Sequence, residues 1–248
     1  MRYASDLVPG RLVRRYKRFL VDVRLEDGRD VTAHSNNTGA MRGCLREGAR
    51  VWLRPVDAPH RKLPFTFTLI QAGRSLVCVD TSLAVPMVRE ALAAGLLPEL
   101  EGYSRVLSEV PYGVEGRSRI DLLLSRGGEL PAKTSGRALP VNDERVYVEV
   151  KSTTLVEGRA SSFPDAVTTR GQKHLEELIE IVRAGQRAAM IYGVMRSDAD
   201  HFEPADAIDP TYGRLLRQAV REGVEAYALR ARVGPRRLRA VDRLPIRL

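Results

Sequence analysis

The chain has 248 residues, a formal charge of +9 and a pI near 9.9. Its 44% hydrophobic content is that of a folded protein rather than a disordered one, and no run approaches the roughly 20 apolar residues of a membrane span. Two cysteines, Cys44 and Cys78, exclude a disulfide framework and a thiolate zinc cluster, and the first residues lack the apolar region of a signal peptide, so a cytoplasmic protein is expected.

Residues 1–80 read as all-β. Strand-like runs fall at 11–15, 19–25, 29–34, 50–54, 65–71 and 75–79. Asp27-Gly28 is a hairpin turn, because both positions tolerate positive φ. Five or six short strands without a helix predict a small barrel, an OB-fold, which commonly binds oligonucleotides on an exposed face. This segment carries 15 Lys and Arg against 8 Asp and Glu, whereas the rest is nearly balanced at 25 against 23. Basicity concentrated on a folded module predicts a polyanion partner, here DNA. Arg11, Arg14, Arg15, Lys17 and Arg18, interleaved with Tyr16 and Phe19, suit phosphate contact and base stacking. The same pattern also suits a barrel whose aromatics fill its core. Asn36-Asn37-Thr38-Gly39 is a turn cluster able to present amides to a phosphate, or simply a loop. Arg61 and Lys62, in a loop bracketed by Pro59 and Pro64, read as a backbone clamp.

From residue 81 helices alternate with strands. A helix at 85–94 precedes strands at 105–110, 118–124 and 146–151, and a helix at 172–184 and an apolar strand at 188–195 follow. That order, αβββαβ, resembles the core of the PD-(D/E)xK nucleases. The expected fold class is therefore mixed α+β: a small OB-like β-barrel over 1–80, then a PD-(D/E)xK nuclease-like αβββαβ domain over 81–248. Residues 125–145 are polar and Gly/Pro-rich and read as an inserted loop. A second basic concentration closes the chain: Arg230, Arg232, Arg236, Arg237, Arg239, Arg243 and Arg247 are opposed only by Asp242.

Chemistry concentrates on two of these strands. Side chains alternate faces, so Glu149 and Lys151 share one face and Val150 takes the other. Pairing of the two strands would set Asp121 beside Glu149. Two carboxylates suit Mg²⁺ or Mn²⁺, with the Val150 carbonyl as a further oxygen donor. Lys151 beside them can hold an attacking water or neutralise charge in a phosphoryl transition state. Glu90, on the first helix, is a candidate third metal ligand or else a solvated helix residue. His174 lies one turn after Arg170 and beside Lys173 near a helix start, where anions are favoured. One of these three is expected to touch a DNA phosphate or the attacking water; the alternative for His174 is packing or capping. Asp165, after Pro164, is either a further carboxylate or a turn residue.

Many segments in order resemble one family. They are residues 10–19, Asn37-Thr38-Gly39, Arg61-Lys62-Leu63-Pro64, residues 118–121 and Val148-Glu149-Val150-Lys151. Further along stand Phe163-Pro164-Asp165-Ala166-Val167-Thr168, Arg170-Gly171-x-Lys173-His174-Leu175 and Ile208-Asp209-Pro210-x-Tyr212. Together these make the chain similar to the sugar fermentation stimulation protein A (SfsA) family. Two departures stand out: Ser35-Asn36 occupies the place of a Cys-Pro pair, and the 125–145 loop is long. The resemblance implies the same OB-like and nuclease-like parts. It also implies a DNA-binding protein that regulates maltose and other sugar-utilisation genes. The alternative from the residues is a Mg²⁺- or Mn²⁺-dependent DNA nuclease, because Asp121, Glu149 and Lys151 are all present where a pure binder would be free to lose one. No helix-turn-helix pattern is evident. A homo-oligomer stays open.

Overall fold

The structure is a computed structural model and describes residues 1–58, 61–112, 118–127 and 145–248. Most of the expected 125–145 insertion, and Pro59 of the expected clamp, lie outside the described residues.

The N-terminal strands are β1 (Val8–Tyr16), β2 (Leu20–Leu25), β3 (Asp30–His34), β4 (Arg50–Pro55), β5 (Phe65–Ala72) and β6 (Ser75–Cys78). Their sheet runs β3-β2-β1-β4-β5-β6 and curls until β3 meets β5 at His34 and Thr66, closing a five-strand barrel. Alternation along β2 explains the closure: Val21, Val23 and Leu25 point inward onto Leu12, Val51, Leu53 and Phe67, while Arg24 faces water. The fold is thus an OB barrel followed by mixed α+β structure, as the sequence predicts.

The remainder comprises α1 (Ala84–Ala93), β7 (Arg105–Tyr112), β8 (Ser118–Ser125), β9 (Arg145–Thr153), β10 (Leu155–Glu157), β11 (Ala160–Phe163) and α2 (Thr169–Arg183). It continues with β12 (Arg187–Val194), β13 (His201–Pro204), α3 (Pro210–Arg221), β14 (Glu225–Val233) and β15 (Leu238–Leu244). The main sheet is ordered β15-β14-β12-β9-β8-β7 and is parallel at β9–β12–β14. Strand β9 lies inside this sheet and is covered on both faces, which is why it reads as a nearly unbroken apolar run. Val146, Val148 and Val150 pack beneath α1 with Met87, Val88 and Ala91. Tyr147 packs on the opposite face beneath α2 with Leu175, Leu178 and Ile179. By the same alternation Glu149 and Lys151 project toward α2.

Helix α2 starts three residues before the expected position. Thr168 caps it by accepting the Gly171 N–H at 3.0 Å, which makes Thr169 and Arg170 helical. The strands β10, β11 and β13, only three or four residues long, are additions to the expected elements, as are α3, β14 and β15 beyond residue 195. Among the described residues, no helix is long and apolar enough to cross a membrane.

One buried carboxylate ties α2 to α3. Asp209 accepts the Tyr212 N–H at 2.9 Å as the cap of α3, and also accepts the Thr168 N–H and the Gln172 side chain, each at about 2.9 Å. Removing it would leave the partly buried Thr168 N–H without this partner and the start of α3 uncapped. Asp209→Ala should therefore lose about 2–4 kcal/mol in urea unfolding at neutral pH, more than a single cap. A loss under about 1 kcal/mol would show that the two helices do not depend on it.

Candidate active site

Two strands and one helix bring the site together. The β8–β9 register pairs Leu122 with Val148, which sets Asp121 next to Glu149 one step further along. There the two strands part, and the Val150 N–H donates to Asp121 Oδ2 at 2.7 Å. Lys151 Nζ donates to Glu149 Oε1 at 2.6 Å. His174, on the buried face of α2, reaches the same oxygen through Nδ1. Arg170 Nε donates to His174 Nε2 at 3.4 Å. An imidazole nitrogen accepting from Arg170 leaves the ring proton on Nδ1, so Nδ1–H donates to Glu149. Lys151 Nζ also lies 3.0 Å from Nδ1, but a protonated Nδ1 cannot accept from it.

Both donors therefore converge on one oxygen of Glu149. Its other oxygen, Oε2, is buried and has no hydrogen-bond partner. Glu149 is only 3% exposed. Burial pushes its carboxyl up, but the His174 hydrogen bond and the Lys151 charge outweigh this and hold it below the usual carboxylate range. Asp121 behaves oppositely. Burial and the neighbouring Glu149 charge push it up to about 6, against smaller opposing effects of the Val150 N–H and Lys151. The pair is thus one firmly ionised carboxylate beside one that resists ionisation. A cation between them would relieve both the repulsion and the unpaired Oε2.

The cleft above these groups measures about 440 Å³ and is walled by both halves of the chain. The barrel contributes Arg18 and residues 36–39; the other half contributes Val150, Asp165, Val167 and Arg170. Residues the sequence did not single out as braces hold the barrel wall. Arg15 donates to the carbonyls of Arg18, Asn37 and Gly39. Asp165 Oδ2 accepts the Met41 N–H at 2.7 Å. A Cβ on Gly39 would lie 2.6 Å from Asp165 Oδ1, so only glycine lets the loop approach this closely. Asn36 in turn donates to buried Asp80 at 2.7 Å. The turn cluster is thus a fixed wall of the cleft, and Asp165 is a clamp for it.

The expected site residues separate into groups. Asp121, Glu149, Lys151, His174 and Arg170 meet in the cleft, and Arg18 joins them from the barrel. Glu90 does not. The buried stripe of α1 is Ala84, Met87, Val88 and Ala91, which turns Glu90 to solvent, where it pairs with the Met1 amino group. Its expected role as a metal ligand is corrected accordingly. Among the described residues, no group of three or more His, Cys, Asp or Glu is arranged to hold a metal. Among the described residues, the carboxylates placed to hold a cation would be Asp121 and Glu149. Lys173 stands outside the cleft, 3.4 Å from Glu177 and 3.5 Å from Ser118. On the barrel, Arg14 pairs with Asp22, Arg11 donates to the Gly48 carbonyl, and Arg61 donates to Thr66. Lys17 and Lys62 are exposed, and Lys17 and Arg18 form a hairpin tip with φ of 49° and 65°.

Comparison with known proteins places this arrangement. The family described as SfsA N-terminal OB domain matches residues 13–79, and that described as sugar fermentation stimulation protein RE domain matches residues 82–237. The chain belongs to the SfsA family. A sugar fermentation stimulation protein homolog of Geobacter metallireducens is 50% identical over 246 residues, 99% of each chain. Another from Paramagnetospirillum magneticum is 47% identical, covering 95% of this chain and 93% of that one. The SfsA of Pyrococcus furiosus, solved in complex with Ca²⁺, superposes with a TM-score of 0.86 at 26% identity, covering 100% of this chain and 98% of that one. The SfsA resemblance read from the residues is therefore the right one.

The raised Asp121 carboxyl has a measurable consequence. A folded-state value near 6, above the ordinary 3.9 or so, means the folded state binds this proton more tightly. Its stabilising effect is full below about pH 4 and is lost as pH rises through 6. Asp121→Asn keeps an acceptor for Val150 and removes the charge. In chelator it should be more stable than the parent by on the order of 1–2 kcal/mol at pH 7.5, converging toward it near pH 4. Equal stability of the two proteins across that range in urea unfolding would refute the electrostatic account.

Proposed function

We propose that this chain binds DNA in the cleft between barrel and α+β half and hydrolyses its phosphodiester bonds with Mg²⁺ or Mn²⁺. The observation that carries the reading is Glu149 Oε2, a buried, unpartnered carboxylate oxygen beside a second carboxylate that resists ionisation. Asp121 and Glu149 would hold the cation, with the Val150 carbonyl at the cleft as a further oxygen. Two carboxylates with the remaining positions left to water suit Mg²⁺. The Ca²⁺ carried by the Pyrococcus furiosus relative supports a divalent cation in this family. When bound, the cation would supply Lewis-acid charge against a phosphoryl oxygen.

The chain's own groups supply the rest. Lys151 uses one N–H on Glu149 and has two left to orient a water or meet a phosphoryl oxygen. His174 holds Glu149 in place and is itself oriented by Arg170. Arg170, near the start of α2, and Arg18, from the barrel, face the cleft from opposite sides and suit flanking phosphates. DNA binding without turnover, at sugar-utilisation genes, is the second reading. It needs only the cleft and the exposed cations of the barrel, Lys17, Arg18 and Lys62.

The assay is nicking of single- and double-stranded DNA with Mg²⁺ or Mn²⁺, with each variant purified in parallel. Asp121→Ala should abolish both cation binding and cleavage. Lys151→Ala should keep cation binding and lower cleavage by about 100-fold or more. Cleavage that survives in Asp121→Ala, or DNA binding without cleavage in the parent, rejects hydrolysis and leaves the binding reading.

A further inference from the structure

Several arginines of this protein pair with carboxylates. On the barrel, Arg14, Arg24, Arg29, Arg50 and Arg54 each pair with an Asp or Glu. On the last two strands, Arg230 pairs with Asp242 at 2.5 Å and Arg243 with Glu99 at 2.8 Å. The hairpin tip between β14 and β15 gathers arginines that have no such partner among the described residues. Arg232 and Arg239 sit directly opposite each other across the two strands and both are exposed. Like charges opposed across a ladder are destabilising. Neither makes an ion pair or side-chain hydrogen bond with the described residues, and the same holds for Arg236 and Arg237 at the tip. The N-terminal segment adds Arg2, which bridges to Arg237 through the backbone. Five unneutralised guanidinium groups are thus gathered at one edge of the sheet.

The patch has shape as well as charge. A groove of about 600 Å³ is lined by Arg230, Arg232, Arg239 and Asp242 of the hairpin together with Ala94 and Leu96. Ala94 closes the C-terminal end of α1, whereas Ala84 and Val85 at its other end line the active-site cleft. Ten residues of helix separate them, roughly 15 Å at 1.5 Å per residue. The groove is therefore distinct from the cleft, yet within reach of the same nucleic acid. Guanidinium groups present paired N–H donors that match phosphate oxygens.

We propose that the β14–β15 hairpin is a second DNA-contact surface, on which Arg232 and Arg239 bind backbone phosphates outside the cleft. This rests on the DNA-binding reading and adds a contact that the OB barrel does not provide. A duplex carries one charge per 1.7 Å or so of axis, so several phosphates fall within the patch.

The test uses the full chain and a labelled duplex of about 30 base pairs, titrated at several salt concentrations in chelator. Arg232→Ala with Arg239→Ala should weaken binding about tenfold or more and flatten the log–log salt slope by about 1.8, that is 0.9 per phosphate lost. Thermal stability should be equal or higher, since a like-charge pair is removed. Arg232→Gln with Arg239→Gln, which keeps more of the side-chain bulk, should behave alike. If both double variants fold and keep the parental slope, the hairpin is not a phosphate contact. If they keep that slope but lose binding to anionic phospholipid vesicles, the patch belongs to a membrane surface and the proposal falls. A parent that binds no duplex at any salt overturns the DNA-binding reading itself.

Discussion

The carboxylate of Glu149 is buried between the main sheet and α2, reached by two donors on one oxygen and none on the other. Burying a charge this way costs several kcal/mol unless it is paired, and half of this carboxylate is not. The surrounding structure is what keeps it there. Strand β9 is locked between β8 and β12, α2 is pinned at its start by Thr168 and Asp209, and His174 is therefore delivered to one place. A rigid frame around an unsatisfied group is how a fold keeps a binding site in its working geometry.

The barrel takes part in that frame. Arg15 spends its guanidinium on three carbonyls of the Arg18–Gly39 region, and Asp165 reaches back from the other half to the Met41 N–H. Chain on both sides of the cleft is thus held by hydrogen bonds between the two halves. Backbone contacts repeat the connection, as when the Cys78 N–H donates to the Met195 carbonyl at 2.9 Å. The cleft is in this sense a product of both halves. The OB barrel adds a second wall to a cleft whose floor holds two carboxylates and a lysine.

Charge is distributed less simply than composition implies. The N-terminal third holds most of the excess basicity, but much of it is spent within the barrel on ion pairs or on bracing. Arg18, Lys17 and Lys62 remain available there. The C-terminal arginines belong to a stretch of chain that is nearly balanced in sequence, yet Arg232, Arg236, Arg237 and Arg239 stand together without an ion-pair partner among the described residues. Net charge bears on the class of partner; only pairing decides which surface meets it.

Sequence alone determined the barrel, the αβββαβ order, the family and the Asp121/Glu149/Lys151 set. These are written in strand alternation and short-range spacing: Glu149 and Lys151 share a face because they are two residues apart, and no tertiary fact is needed to say so. Glu90 was misplaced because helix position says that a residue lies on α1, not which way its stripe turns; the packing of Met87, Val88 and Ala91 decided that. Arg15 and Asp165 looked like a DNA contact and a turn residue or spare carboxylate, since bracing a loop across two halves of a chain leaves no local pattern. The unpartnered oxygen of Glu149 and the raised Asp121 carboxyl belong wholly to the tertiary structure, because burial and the distance between charges on different strands exist only once the sheet has formed.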